Sequence, residues 1–353
     1  MAYTTINKST DYFNTVLFTG NATARSITGV GHQPDLVWIK PRDNGTWSNN
    51  LTDVVRGAGY GLFSDLTNAQ YNYGTGTDGS VRTFDSDGFS IGNKTQVNNN
   101  GSNIVAWNWK AGGGQGSSNT DGSINTTYTS VNTTAGFSIS KYTGNATSGA
   151  TVGHGLGTTP SLIIVKKTSG SDGWVVYHHR NTSAPETEYL RLDTTDATAD
   201  NLGEWNDTAP SSNVFTIGNS GRTNDNGATY IAYCFAEKTG YSKFGSYTGN
   251  GNADGSFIYT GFKPAFVIFK NASSTSFWQM HDSVRDPFNE VQKRLAPNSS
   301  DAEGSGSIPI DFLSNGIKLR TTATTWNESG SNFIYMCFGQ SLVGSNNVPC
   351  TAR

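Results

Sequence analysis

Cysteine and charged residues are both scarce in this sequence. Three of its 353 residues are cysteine and 14% are charged, whereas an average globular protein has about 25% charged residues. So few cysteines exclude a disulfide-stapled scaffold and are typical of a reducing compartment. The net charge of −3 comes without any cluster of Lys and Arg, which argues against a nucleic-acid partner because phosphate contacts require clustered cations.

Long apolar segments and a secretion signal are missing as well. No stretch of about 20 apolar residues is present, so we expect no insertion into a membrane. The N-terminus lacks the charged-then-apolar pattern of a signal peptide, so we expect synthesis in a cytoplasm without secretion by that route.

Glycine is abundant at 42 residues, and Asn, Thr, Ser, aromatic and β-branched residues make up much of the rest. These residue types favour strands and turns over helices. Short apolar runs bounded by turn residues, such as Leu-Ile-Ile-Val at 162–165, predict strands that are buried on both faces or lie in a sandwich core. The composition predicts no helix except a turn or two at 282–292, where Pro287 limits the length.

The sequence also repeats itself three times. Phe-Thr-Gly-Asn at 18–21 returns as Tyr-Thr-Gly-Asn at 142–145 and 247–250, and each copy continues to a proline and an apolar stretch that ends in Lys40, Lys166 or Lys270. An aromatic-rich run closes each copy, three residues after a glycine. Repeats of about 105 residues are each large enough for one hydrophobic core. We therefore predict an all-β protein of three tandem antiparallel β-sandwiches, jelly-roll-like in type.

The spacing of the copies predicts the domain organisation. The first sandwich spans residues 1–111 and includes an N-terminal segment, 1–10, without a counterpart in the other copies. Residues 112–134 are rich in Gly, Ser, Asn and Thr, a composition that predicts a flexible tether. The second and third sandwiches, 135–238 and 239–342, abut directly, so we expect a fixed pair with the first sandwich hinged. Residues 343–353 form a short tail.

Recurring tryptophans are the first candidates for ligand binding. Each copy has one at a matching distance after its lysine, and two interpretations remain open: a sugar-stacking platform used three times for avidity, or a core residue that fixes each sandwich. Recurrence favours the core, because a structural residue would recur in the same way. Aromatic residues that do not recur lie among polar residues and are better candidates for surface contacts. The candidate ligand-binding residues are Trp47, Trp174, Trp278, Tyr71, Tyr73, Trp205 and Trp326.

No motif in the sequence points to catalysis or to a cofactor. His178 and His179 are adjacent, and neighbours on a strand face opposite ways, so they are not expected to share a metal ion. Asp-Ser-Asp-Gly at 85–88 resembles the start of a calcium loop, but the later ligands of such a loop are missing. A pair of carboxylates that meets only in the fold remains open. The sequence predicts no enzyme, no cofactor and no metal site.

Five segments spread over the chain carry a resemblance to other proteins. They are TINKSTDYFNT (5–15), IVAWNWKAGG (104–113), YIAYCFAE (230–237), YSKFGSYTGN (241–250) and LVGSNNVP (342–349). Together they resemble a family of uncharacterised structural proteins from marine tailed bacteriophages, and the resemblance covers essentially the whole chain. It implies a virion protein, located in the virion and bound to other tail or capsid proteins, without supplying an activity or a site.

Two classes of function follow from the resemblance and the repeat. The first is adhesion, in which a tail-fibre or tail-tip protein binds a host-surface glycan or protein through its sandwiches. The second is decoration, in which the protein studs the capsid or tail and stabilises the particle. An envelope-polysaccharide depolymerase is a third option. We expect a homo-oligomer in the particle, and we assign the virion anchor to the N-terminal segment through Tyr3 and Ile6.

Overall fold

The computed structural model describes residues 4–306 and 308–341. The predicted C-terminal tail, 343–353, and the predicted anchor residue Tyr3 lie outside the described residues. Within them the chain is nearly all β, and every pair of named strands is antiparallel. The prediction of an all-β protein of antiparallel sandwiches is confirmed. No helix in the described part of the chain is long and apolar enough to cross a membrane.

Each of the three predicted sandwiches, here called modules 1, 2 and 3, has one large and one small sheet. Module 1 contains β1 (Phe13–Thr19), β2 (Arg25–Thr28), β3 (Leu36–Pro41), β4 (Asn50–Asp53), β5 (Tyr60–Phe63), β6 (Tyr71–Asn72), β7 (Val81–Asp85), β8 (Gly88–Ile91), α1 (Thr95–Asn98) and β9 (Asn103–Trp109). Its large sheet has the order β1-β9-β3-β4-β5-β6 and its small sheet the order β2-β8-β7.

Module 2 repeats this plan with strands in matching register. Its elements are β10 (Tyr128–Asn132), β11 (Phe137–Thr143), β12 (Ala150–Gly153), β13 (Leu162–Lys167), β14 (Val175–His178), β15 (Glu188–Arg191), β16 (Ala199–Asp200), α2 (Leu202–Trp205), β17 (Val214–Ile217), α3 (Gly221–Asn224) and β18 (Thr229–Phe235). The large sheet runs β10-β11-β18-β13-β14-β15-β16, and β12 pairs with β17.

The large sheet of module 3 has the fewest strands, in the order β19-β25-β21-β22, and lies beside the small sheet β20-β24-β23. Its elements are β19 (Ser242–Thr248), β20 (Phe257–Tyr259), β21 (Phe262–Asn271), β22 (Gln279–Asp282), β23 (Ile310–Leu313), β24 (Gly316–Leu319), α4 (Thr324–Asn327) and β25 (Asn332–Ser341). In every module the closing strand lies inside the large sheet, between β1 and β3 for β9, between β11 and β13 for β18, and between β19 and β21 for β25. This position explains its apolar and aromatic character.

The large sheets are apolar on both faces, and their two faces enter different cores. In β3, Val37 and Ile39 belong to the core inside module 1, whereas Leu36 and Trp38 belong to a second, central core. The same alternation holds in β13 and β21. Successive strand residues point to opposite faces, so a run of four apolar residues is what a doubly buried strand requires. Of the two options left open by the sequence, burial on both faces is the correct one.

The central core joins all three modules into one body. Phe13 of module 1 lies 5.4 Å from Phe266 and 5.3 Å from Phe338 of module 3, measured between ring centroids, and Phe338 lies 5.9 Å from Phe235 of module 2. Module 2 also contacts module 1, because Trp174 Nε1 donates to the carbonyl of Phe63 at 2.9 Å. Each module therefore contacts both of the others, and the three form a closed ring around shared side chains. The predicted hinge between module 1 and a fixed pair of modules 2 and 3 is wrong.

The predicted tether, residues 112–134, is packed against both neighbouring modules. Ile124 is buried in the core of module 2, and its amide donates to the carbonyl of Thr151 in β12 at 2.9 Å. The amide of Gly113 donates to Asp35 Oδ2 of module 1 at 3.0 Å, and β10 adds a strand to the large sheet. The composition predicted flexibility, but specific backbone hydrogen bonds and one apolar anchor hold the segment in place.

A buried asparagine explains the repeated Thr-Gly-Asn motif. Asn98, the last residue of α1, accepts from the amide of Asn21 at 2.9 Å and donates to the carbonyls of Thr23 and Gly92. Asn224 and Asn327 make the corresponding contacts in modules 2 and 3. A Cβ atom on the motif glycine would collide with the carbonyl oxygen of the residue that follows this asparagine. At Gly20 the colliding oxygen is that of Asn99. The motif is thus a loop held in place by the side-chain amide of one asparagine, here called the clasp asparagine.

The helix predicted at 282–292 is absent. β22 ends at Asp282, whose carboxylate caps the next turn by accepting from the amides of Val284 and Arg285. Elsewhere in the described ranges lie four single α-helical turns, at positions where the sequence predicted none. Three of them, α1, α3 and α4, position the clasp asparagines.

Replacing the clasp amide should destabilise the whole protein. Asn98→Ala removes three buried hydrogen bonds and leaves their partners unsatisfied, so we expect a loss of about 2–4 kcal/mol in the free energy of unfolding, measured by urea denaturation. Asn100→Ala is the control, because Asn100 is exposed and two residues away. A loss no larger than that of the control would contradict the clasp.

Candidate ligand-binding surface

Two of the recurring tryptophans seal boundaries between modules. Trp174 is fully buried, and its indole Nε1 donates to the carbonyl of Phe63 in module 1 at 2.9 Å. Trp278 is 5% exposed, and its Nε1 donates to the carbonyl of Arg191 in module 2 at 2.8 Å. Neither ring has a face free to stack on a sugar, so the platform interpretation is wrong for both. Trp47 is half-buried at the matching place in module 1.

Two of the non-recurring tryptophans are also buried. Trp205 packs in the core of module 2 with its ring 5.9 Å from that of Tyr177, and Trp326 packs in the core of module 3 with its ring 4.5 Å from that of Phe269. Their exposed fractions of 2% and 0% leave no surface for a ligand. The assignment of Trp205 and Trp326 to surface contacts is corrected accordingly.

The described part of the predicted anchor segment packs inward. Ile6 is 1% exposed and belongs to the central core. The amide and hydroxyl of Ser9 donate to Gln340 Oε1 in β25 at 3.1 and 2.9 Å. Ser9 therefore joins this segment to module 3, and Ile6, buried in the central core, is not available to a virion partner.

The lysines that mark the repeat are buried at the boundaries, where carbonyl oxygens surround each ammonium group in an arrangement here called a lysine cage. Sequence reasoning did not predict this role. Each Nζ donates to carbonyl oxygens of its own module and to one of the neighbouring module. Burial lowers the pKa of all three lysines to about 8. The acceptors across the boundaries are Ser300 for Lys40 (2.8 Å), Thr67 for Lys166 (2.9 Å) and Thr195 for Lys270 (3.1 Å). A lysine that recurs at the end of an otherwise apolar strand was the available signal.

Buried ion pairs reinforce two of the three boundaries. Arg56 Nε donates to Asp53 Oδ2 at 2.5 Å, and the same oxygen accepts from the hydroxyl of Tyr233 in module 2 at 2.7 Å. In module 3, Asp282 pairs with Arg285 and accepts from Trp107 Nε1 of module 1. These recurring Asp and Arg residues therefore have a structural role. A buried carboxylate with these donors is fully satisfied and not free for chemistry.

The tyrosine pair, Tyr71 and Tyr73, is the one sequence-predicted pair that reaches the surface among the described residues. Tyr71 lies in the edge strand β6 and is 41% exposed. The two rings stack with centroids 5.8 Å apart and planes inclined by 17°. Phe63 packs edge-on against Tyr71, and a Cβ on Gly61 would crowd the ring of Tyr73. The pair is therefore held in place before any ligand arrives.

Polar groups surround the tyrosine pair. Asn68 Nδ2 donates to the hydroxyl of Tyr71 at 2.9 Å, and Lys94 Nζ lies 5.7 Å from the ring centroid of Tyr73. Partial burial raises the pKa of Tyr73 to about 12, so its hydroxyl stays protonated at neutral pH. A rigid aromatic surface beside amide and ammonium donors can stack on an apolar ring face and hydrogen-bond to its hydroxyl groups.

A protein-family model matches nearly the whole chain. The family model described as Domain of unknown function (DUF7483) matches residues 8–341. The chain belongs to this family. No curated protein and no solved structure matches it. The DUF7483 match runs without a break through all three modules and the segment between them, in agreement with a central core that all three modules share.

In this DUF7483 protein the boundary between modules 2 and 3 lacks the Asp–Arg pair. His178 and Asn181 occupy the corresponding positions. His178 Nδ1 accepts from the amide of Arg180 at 3.1 Å, and Nε2 lies 3.1 Å from the carbonyl of Tyr335 in module 3, to which it donates. This pattern requires the neutral ring, and burial lowers the pKa of His178 to about 3. The described residues contain no group of three His, Cys, Asp or Glu that could hold a metal ion.

Acid should destabilise the protein through His178. Because the pKa is about 3 in the folded state and about 6.5 in the unfolded state, the unfolded state takes up the proton first as the pH falls. Stability is therefore lost progressively from pH 6.5 down to about pH 3, and His178 alone accounts for about 2 kcal/mol at pH 5. Burial lowers the pKa of the other four histidines in the same direction, namely His32, His154, His179 and His281.

Urea denaturation at pH 7.5 and pH 5 measures this effect. His178→Gln keeps a donor for the Tyr335 carbonyl but does not titrate, so its loss of stability between the two pH values should be smaller by about 2 kcal/mol. An unchanged pH dependence in this variant would rule out His178 as the cause.

Proposed function

We propose that this protein is a component of a phage virion that attaches the particle to host-surface carbohydrate through the tyrosine pair of module 1. The resemblance of the sequence to marine phage structural proteins supports the virion assignment. The exposed ring of Tyr71 and the half-buried ring of Tyr73, both held in place by their neighbours, carry the adhesion assignment.

The chemistry of the tyrosine pair suits a neutral sugar. A tyrosine ring offers an apolar face to the C–H face of a pyranose ring, and its hydroxyl group can hydrogen-bond to the sugar. Asn68 orients the hydroxyl of Tyr71, and Lys94 offers a cation beside Tyr73. Because the rings are already ordered, little conformational entropy is lost on binding.

The part of the chain that the structure describes carries one tyrosine pair rather than three. The register of β15 and β16 puts Ala199 at the position of Tyr71 in module 2. Of the recurring tryptophans, Trp174 and Trp278 are committed to the boundaries between modules. Avidity for a cell surface would then come from several chains in one particle, not from the three modules of one chain.

Binding of the purified protein to host cells and to a glycan array tests this proposal. Tyr71→Ala should weaken binding about tenfold, equivalent to about 1.4 kcal/mol, with little change in melting temperature because the ring is exposed. Phe257→Ala is the matched control, since Phe257 is 48% exposed on β20 of module 3. Retention of full binding by Tyr71→Ala would exclude the tyrosine pair as the site.

Decoration of the particle is the second candidate, and the closed ring of modules favours it. A single chain that arranges three similar modules around one core has the form of a trimer and could occupy a threefold position on a shell. Phe257, Tyr259 and Phe288 of module 3 are also exposed, at 48%, 57% and 75%. Such exposed aromatic residues often mark protein contacts.

Cryo-EM or immunogold localisation on intact particles separates the two candidates. Label at the tail tip or fibres is the result expected for adhesion. Label distributed over the head would favour decoration, and heat stability of particles without the protein would then be measured.

A further inference from the structure

The boundary between modules 2 and 3 contains an open polar cleft. Its volume is about 480 Å³, and hydroxyl and amide groups dominate its walls. The hydroxyl of Thr198 donates to Asn181 Oδ1 at 2.8 Å, and Asn332 Nδ2 of module 3 donates to the carbonyl of Asn181 at 2.7 Å, so Asn181 ties the two walls together. The lining residues are Asn181, Thr182, Glu188, Thr198, Ala272, Ser273 and Asn332.

In the other two modules an arginine occupies the position of Asn181. Arg56 follows the end of β4 by three residues, Arg285 follows the end of β22 by three, and Asn181 follows the end of β14 by three. The guanidinium of Arg56 donates to the carbonyls of Leu51 and Tyr60 as well as to Asp53. That of Arg285 donates to Glu303 Oε2 at 2.9 Å. The shorter Asn181 leaves out the volume and the positive charge of this guanidinium.

A carboxylate stands beside the missing cation. β4 pairs with β5 through Leu51 and Leu62, and in module 2 β14 pairs with β15 through Val176 and Leu190. By this register Glu188 of module 2 corresponds to Tyr60 of module 1. Tyr60 is the residue whose carbonyl accepts a hydrogen bond from Arg56. Glu188 Oε2 is buried and has no hydrogen-bond partner, and Glu188 forms no ion pair within the described ranges. A buried, unpaired carboxylate oxygen is costly unless a ligand satisfies it.

We propose that this cleft binds a guanidinium group supplied from outside the chain, with Glu188 as its counter-ion. A guanidinium is planar and presents a fork of N–H donors that matches a carboxylate. The hydroxyls of Thr182, Thr198 and Ser273 supply further acceptors around it. The group can be a free guanidinium compound or an arginine side chain of another protein molecule.

Isothermal titration of the full-length protein with N-acetyl-arginine methylamide tests the proposal. The citrulline analogue is the matched probe, because it has the same shape without the charge. We expect the arginine probe to bind at least about tenfold more tightly than the citrulline probe, a difference of about 1.4 kcal/mol.

Two variants locate this binding in the cleft. Glu188→Gln removes the charge at constant shape, and Asn181→Arg fills the cleft with the arginine of the other modules. Each should weaken binding of the arginine probe at least about tenfold, and Asn181→Arg should also raise the melting temperature. Asp200→Asn, at the exposed rim, should change binding by no more than about twofold and serves as the control.

Three results would overturn the assignment: no binding of the arginine probe, equal binding of both probes, or full binding by Glu188→Gln and Asn181→Arg. Sedimentation of the wild-type protein then distinguishes the sources of the group. An oligomer that the arginine probe dissociates indicates an arginine from a second copy, whereas a monomer that binds the probe indicates a free guanidinium compound.

Discussion

The second apolar face of each large sheet is the constraint on which this structure depends. A small sheet covers one face, but no element of the same module covers the other. Burial of apolar area is the main favourable term in folding, so the uncovered faces of the three modules turn toward one another. Closing them into a ring places Phe13, Phe235, Phe266 and Phe338 in one cluster. The lysine cages, the boundary tryptophans and the buried Asp–Arg pairs all lie where this ring closes.

Much of the fold was predictable from local pattern. Strands that are buried on both faces are visible in the sequence as short apolar runs, and the repeat predicted three sandwiches. The relation between modules was not predictable, because a residue that seals a boundary has the same local pattern as one inside a core. Residues 112–134 show a further limit: Gly and Ser predicted a tether, but the amides of Gly113 and Ile124 find specific acceptors, which composition does not encode.

The candidate site divides in the same way. Tyr71 and Tyr73 were found because they do not recur and lie among polar residues. Trp205 and Trp326 satisfied the same rule and proved to be buried, because single helical turns carry them inward from polar segments. The cleft between modules 2 and 3 could have been inferred from sequence, since Asp53–Arg56 and Asp282–Arg285 have no counterpart at His178 and Asn181. That the carboxylate of Glu188 lies beside the position of the missing arginine could be recognised only from the register of β14 and β15.

The cage of Lys40 has a consequence for biosynthesis. Its cross-boundary acceptor, Ser300, lies 260 residues further along the chain. At a translation rate of roughly 5–20 residues per second, the first module, whose last strand ends at Trp109, leaves the ribosome on the order of ten to forty seconds before Ser300 is made. During that interval the inward face of its large sheet, with Leu36, Trp38 and Trp109, lacks the cover of module 3. We therefore expect the nascent protein to expose apolar surface until its last module has emerged.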